Sequence, residues 1–463
     1  MTMLTIRAPL HREAELAWVS SVIFHHWLGL NYRLETHEQS CVEVHVGQKC
    51  VRWQDVFLAK ADRCWLQPDS LPPKDTLTWV MPDAALRTSV GQTHLANIFG
   101  DGHFEVRSDA VHLPIDVTGS IFFLLSRYEE AICGATLDKH GRFPGRSTVV
   151  HRAGLALRPL VDEWVELLWW SLKIIAPQLQ RKPRTPTVWV SCDVDAPYSP
   201  GSKSWPLAMR QTASDIWNHR SPRQAGKTLL NAVASRAGIT RFDSYDTFNW
   251  ILDVNEESGN RVSFFFLSVL NPAHIDGCYE LGEPRVSKLM RSMLRRGHEI
   301  GLHGSYSSAD QPDKLASELD RLRLAILQAG GNPLHIGGRQ HYLRWRMDIT
   351  AHALDSAGLV YDSTLGFPDI AGFRCGTCHT FPIFDLFRSE QLSLLERPLV
   401  LMDVTVTSPT YLNHGHGEDA RNLMMNLRES CRRFGGEFSL LWHNSNFIDP
   451  AARELYKALI RPL

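Results

Sequence analysis

The run Val188-Trp189-Val190-Ser191-Cys192-Asp193-Val194-Asp195-Ala196-Pro197 constrains this chain more than any other stretch. Its apolar start reads as a buried strand of a parallel sheet, and Pro197, which has no N–H to donate, ends the ladder. Asp193 and Asp195 therefore fall at the carboxyl end of a strand, where α/β folds place their chemistry. Side-chain alternation points both carboxylates to one side. Like charges that close repel, so one is suited to hold a cation and the other to accept a proton. A helix-capping aspartate followed by a turn aspartate is the plainer alternative.

At 463 residues the chain is too long for one ordinary core, and two domains are expected. With 44% hydrophobic and 21% charged residues and a net charge of −1, it does not have the charge of a general nucleic-acid binder. The first eighteen residues lack the basic start and long apolar core of a signal peptide, and no apolar run is long enough to span a bilayer. The nine cysteines are scattered and odd in number, which fits free thiols in a reducing compartment. A cytoplasmic location is the resulting expectation.

Residues 1–180 read as a separate α/β unit, with helices expected over 13–30, 121–130 and 161–179 and strands near 32–38 and 41–46. The 161–179 helix carries Trp164, Trp169 and Trp170. Such a helix suits peripheral contact with a membrane surface or packing between domains. Arg181-Lys182-Pro183-Arg184-Thr185-Pro186 reads as a linker. From Thr187 strands alternate with helices, which implies a parallel sheet with right-handed crossovers. Strands are expected at 187–193, 262–269, 299–304, 335–341, 359–364, 380–385, 399–406 and 438–443. Seven or eight such units suggest a barrel, complete or incomplete, over 187–463. An insertion over about 200–241 carries Lys203, Arg210, Arg220, Arg223, Lys227, Arg236 and Arg241 against one acid, Asp215, and suits a phosphate-bearing substrate at the barrel mouth or a solvated loop. Its Ala225-Gly226-Lys227-Thr228 is no P-loop, because Ser221 stands where that motif needs glycine and no strand precedes it.

Four more strand ends carry chemistry-bearing residues. They are His303 in Gly297–Ser307, Arg339 and His341 in Gly338–Trp345, Asp403 after Leu401-Met402, and His443 after Leu440-Leu441-Trp442. Brought together, they would line one barrel mouth. Cys375-Gly376-Thr377-Cys378-His379 has the spacing of a c-type haem attachment, which needs an exported context this chain does not announce.

In the order of these motifs, residues 187–461 resemble the polysaccharide deacetylase family (carbohydrate esterase family 4). Ser191–Asp195 stands where the family has Thr-Phe-Asp-Asp-Gly, and Gly297–His303 where it has Gly-His-Glu-(Ile/Val)-Gly-x-His. Arg339–Tyr342 stands for Arg-x-Pro-Tyr and Leu440–His443 for Leu-x-x-His. The first half is similar to the accessory region of a subgroup of bacterial deacetylase-like proteins. The resemblance implies an α/β fold: a distorted (β/α)7–8 deacetylase-type barrel behind a separate N-terminal α/β domain. It also implies a divalent metal, usually zinc, and removal of an N-acetyl group from a sugar or glycan intermediate. Asp193 is then the base, Arg339 its partner, Tyr342 an oxyanion donor through its N–H, His443 the acid and Asp403 the group orienting it. Asp195 and His303 are metal ligands. Two departures stand out: Ser307 replaces the family's second histidine, and Asp-Val-Asp replaces Asp-Asp. His341, in the place of the family's proline, is the candidate third ligand, or else a hydrogen-bond donor to substrate. A catalytically inactive glycan- or partner-binding protein, and a deacylase for another C–N bond such as an N-formyl sugar, stay open as alternatives.

Overall fold

The computed structural model describes residues 3–72, 77–81, 83–132, 137–199, 202, 204–217, 222–235, 239–269, 274–277 and 279–463. The chain forms two compact units, one of Met1–Thr187, Leu343–Leu401 and Asn426–Phe438, the other of Val188–Tyr342, Met402–Met425 and Ser439–Leu463. The first change of unit, at Thr187, adjoins the 181–186 segment. Residues 343–401 and 426–438, expected inside the barrel, group instead with the N-terminal residues. Buried polar groups explain why. Arg374 donates to both Glu130 oxygens at 2.9 and 2.7 Å, and Asp162 accepts from the Thr377 hydroxyl at 2.6 Å and the Cys378 N–H at 3.0 Å. The indole N–H groups of Trp18 and Trp27 donate to the carbonyls of Pro382 and Thr380.

The N-terminal unit carries a six-stranded sheet. Leu4–Pro9 runs parallel to Tyr32–His37 and antiparallel to Cys41–Val46, and Lys49–Gln54, Ala110–His112 and Glu105–Val106 follow in order. The helix expected over 121–130 is two helices, Val117–Leu125 and Tyr128–Ile132, because Arg127 between them takes a left-handed φ of 56°. In the helix Leu160–Ile175, Trp164 is fully buried and donates to Ala96 O, so that indole faces the unit's own core rather than a lipid surface.

In the second unit six strands lie side by side: β1 (Thr187–Val194), β2 (Val262–Leu267), β3 (Glu299–Gly304), β4 (Gly337–Gln340), β5 (Leu401–Met402) and β6 (Glu437–Leu441), in the order β4-β3-β2-β1-β6-β5. β1 to β4 are mutually parallel. β2, Val-Ser-Phe-Phe-Phe-Leu, is buried at every residue, as a strand covered on both faces must be. Helices α1 (Trp205–Trp217), α2 (Pro222–Ala234) and α3 (Phe248–Glu257) fill the long β1–β2 connection. α4 (Pro284–Arg295) joins β2 to β3, and α5 (Pro312–Gln328) joins β3 to β4. The mixed α/β class agrees with the sequence reading. The strand expected over 399–406 does not form beyond Met402; Asp403–Thr407 is a short helix, α6. Among the described residues no helix is long and apolar enough to cross a membrane.

Candidate active site

Strand register sets the site. Asp193 on β1 stands opposite Phe265 on β2; Leu267, at the end of β2, stands opposite His303 on β3, and His303 opposite Arg339 on β4. The fully buried Arg339 guanidinium donates to Asp193 Oδ1 at 2.8 Å and to Ser191 Oγ at 2.9 Å. It lies 4.8 Å from the Phe265 ring centre, so aromatic surface and a carboxylate together hold the buried cation.

Two residues further on, Asp195 Oδ1 lies 3.2 Å from His303 Nε2 and 3.5 Å from His341 Nε2. Each ring is anchored through its other nitrogen. His303 Nδ1 donates to the Arg339 carbonyl at 2.9 Å, and His341 Nδ1 faces Asp276 Oδ1 at 3.1 Å. Those bonds fix the tautomers that leave both Nε2 lone pairs turned toward Asp195. The three ligand atoms lie within 4.8 Å of one another, and Asp195 Oδ1 is buried with no hydrogen-bond partner. An orphaned carboxylate oxygen facing two imidazole nitrogens is the donor set a divalent cation takes. Burial raises the Asp195 carboxyl, but His341, His303 and His443, in their protonated forms, outweigh it and hold it below its ordinary range.

Across from this trio, His443 Nδ1 lies 2.8 Å from Asp403 Oδ1, and His443 Nε2 points at Asp195 Oδ2 from 3.7 Å. Asp403 is fully buried and saturated. It accepts from the N–H groups of Val404 and His443 and from the Asn446 amide. Burial pulls the His443 imidazole down, while Asp403, Asp195 and Asp193 more than reverse it and raise it to about 10.

The Ser307 hydroxyl accepts a hydrogen bond from Lys314. Tyr342 holds φ 62°, ψ 12°, a left-handed conformation costly for a residue with a Cβ, which turns the chain sharply after His341. Its ring packs on His341 at 4.6 Å. Asp276 is the residue the sequence reading missed. It lies in the short turn His274–Asp276, accepts the Tyr306 N–H at 2.6 Å and faces His341. Gly277 allows this approach: at φ 80°, any Cβ there would lie 2.2 Å from the Asp195 carbonyl. Burial raises the Asp276 carboxyl, but His341 and the Tyr306 N–H leave it lowered.

In the N-terminal unit Asp162, Cys378 and His379 also converge. Here the carboxylate is already taken up by the Thr377 hydroxyl and the Cys378 N–H and S–H, and burial pushes the thiol well up, so the cluster reads as a buried hydrogen-bond network. Cys375 and Cys378 are both buried, which keeps their sulfurs from a haem edge.

Residues 4–177 match the model of DUF7033, a family of unknown function. No curated protein matches the chain. Among solved structures, similarity is found to a protein described as a polysaccharide deacetylase from Mycobacterium smegmatis, with 20% identity, a TM-score of 0.38, and coverage of 60% of this chain and 84% of that one. PuuE allantoinase shares 18% identity at a TM-score of 0.34, over 46% of this chain and 65% of its own. A protein described as a polysaccharide deacetylase from Pseudomonas aeruginosa PAO1 shares 17% identity at a TM-score of 0.33, over 50% of this chain and 69% of its own.

Proposed function

We propose that the second unit is a metal-dependent amide hydrolase, a carbohydrate N-deacetylase that removes an N-acetyl group from a sugar or glycan intermediate in glycan assembly. The observation that carries this reading is the convergence of Asp195, His303 and His341 between two separately anchored groups, Asp193 on Arg339 and His443 on Asp403. The strand–helix alternation supports taking the sheet as part of a distorted deacetylase-type (β/α) barrel.

Asp195, His303 and His341 would hold the cation, zinc being the first candidate for a nitrogen and oxygen set of three. When bound, it supplies Lewis-acid polarisation of the carbonyl and a lowered pKa for water. Asp193, oriented by Arg339, accepts the proton of the attacking water. His443, held as a cation by Asp403, gives its Nε2 proton to the departing amine. The Tyr342 N–H is the candidate donor to the oxygen that gains charge.

The test is acetate release from a panel of N-acetylated sugars, measured with the metal content of the same protein and repeated after chelation and re-addition. Acetate release that follows metal content supports the reading. Metal-free protein that binds glycans without releasing acetate overturns it in favour of an inactive binding protein, the reading that Ser307 at the family's histidine position would favour.

A further inference from the structure

Beside the proposed catalytic groups, still within the second unit, lies a cavity of about 270 Å³ lined by Lys227, Arg241 and Arg453. The cations come from three places in the chain: Lys227 from α2, Arg241 from the loop before α3, and Arg453 from α7 (Pro450–Leu459). Hydrogen bonds tie the cavity to the site. Thr247, in its wall, donates to the Asn444 carbonyl, and the Asn444 amide donates to Ala196 O and Tyr245 O. Asn444 follows His443, and Ala196 follows Asp195.

The charges in this cavity do not cancel. Two acids line it, but Asp243 is spent on the chain itself: it accepts from the Ser199 N–H and hydroxyl, the Asn231 amide and the Tyr245 N–H. Burial pushes the Asp246 carboxyl up. Among the described residues, no carboxylate lies within ion-pair distance of the three cations. Arg453 donates to Phe447 O and stacks 4.9 Å from the Trp250 ring centre, and Arg241 lies over Phe242 at 4.5 Å. A guanidinium held against a ring keeps its forked N–H donors, the form in which arginine binds phosphate. Three cations converging on one concavity repel one another unless an anion sits between them.

We propose that this cavity binds a phosphate or diphosphate group carried by the amide-bearing substrate. Three cations against two acids leave the cavity a formal charge of +1, and its two guanidinium groups offer forked donors to phosphate oxygens. The P-loop-like tetrapeptide acquires a different sense here. Its backbone is mid-helix and cradles nothing, yet the side chains of Lys227 and Thr228 both line the cavity. Of the other cations in the insertion, Lys203, Arg220 and Arg236 lie outside the described residues, as does the side chain of Arg223.

The proposal rests on the hydrolase reading for the nature of the substrate, but its test needs no turnover. Inorganic pyrophosphate is titrated calorimetrically into the full chain with divalent ions chelated away. Binding is expected, unchanged in Asp195→Ala and weakened about tenfold in each of Lys227→Met, Arg241→Gln and Arg453→Gln. Lys227 and Arg241 are exposed, so those two variants serve even if Arg453→Gln disturbs the packing on Trp250. Competition with uridine diphosphate and with farnesyl diphosphate then separates a nucleotide carrier from a lipid one, and displacement by either supports the site. No binding, binding lost only in Asp195→Ala, or equal affinity in all the cavity variants overturns it. Pyrophosphate binding without acetate release from any sugar removes the hydrolase reading and leaves the anion site standing.

Discussion

His341 and Asp276 are 65 residues apart in the chain, yet His341 Nδ1 lies 3.1 Å from Asp276 Oδ1. The carboxylate fixes which imidazole nitrogen carries the proton and so turns Nε2 toward Asp195 at 3.5 Å. That orientation is what the proposed role of His341 as a ligand requires.

Removing that partner gives the first prediction. Asp276→Asn should weaken metal affinity about 10- to 100-fold, the usual effect of losing a carboxylate behind a ligating histidine. A competition titration against a chromogenic chelator reads it directly. Unchanged affinity would mean that His341 is no ligand.

The ligand set gives the second. Asp195→Ala, His303→Ala and His341→Ala should each lower bound metal in protein purified in parallel, measured by plasma mass spectrometry. Ser307→Ala should not, because the Ser307 hydroxyl is engaged by Lys314 and a neutral hydroxyl is a weak donor to a metal. Full occupancy in His341→Ala, or a metal-bound structure with that ring more than about 4 Å from an ion whose bonds should be near 2 Å, refutes the rebuilt set.

How much of this could be read from the sequence depends on what positions each residue. Asp193, Asp195, His303, Arg339 and His443 end or directly follow short apolar runs, and strand periodicity alone places such residues at one sheet edge. Asp276 follows no such rule. It sits in a turn of three residues whose path depends on a left-handed glycine packed on the Asp195 carbonyl. The remaining signal was positional: the loop after β2 must pass the same edge, and Asp276 is the first of its three acids, ahead of Glu280 and Glu283. Asp403-Val404-Thr405-Val406-Thr407 misled in the opposite way. Its β-branched residues favour a strand, but the buried Asp403 carboxylate gathers the N–H groups of Val404 and His443 and bends the chain into a helical turn. The grouping of 343–401 with the N-terminal unit was hidden for a similar reason, since it depends on polar pairs such as Arg374 with Glu130 that span 244 residues.

The acid–base assignment yields the third prediction. Asp193→Asn and His443→Ala should each slow acetate release about a hundredfold or more while metal content holds, because both lie outside the ligand trio. Asp403→Asn should follow His443→Ala in direction, since it removes the charge that steadies the ring. Near-normal rates in either of the first two variants would reassign the proton transfers.

The last prediction concerns the N-terminal unit. Glu130 is buried with two guanidinium groups, Arg374 at 2.7 Å and Arg127 at 2.8 Å. Burial alone would raise its carboxyl, but Arg374 and Arg127 reverse that and hold it at about 2 against an ordinary 4.5. A carboxyl depressed in the folded state contributes its stability above the unfolded value and loses it as pH falls through the folded one. The window is therefore about pH 4.5 down to 2, and the size about 3 kcal/mol at 1.36 kcal/mol per unit. Glu130→Gln leaves two buried arginines without their counter-charge, so at pH 7 it should destabilise by about 3–5 kcal/mol. Urea unfolding of wild type and variant at several pH values tests this. The gap between them should be constant from pH 7 to about 5 and should narrow below the ordinary carboxyl value of 4.5. A gap that stays the same down to pH 3 would show that Glu130 is not held ionised by its two arginines.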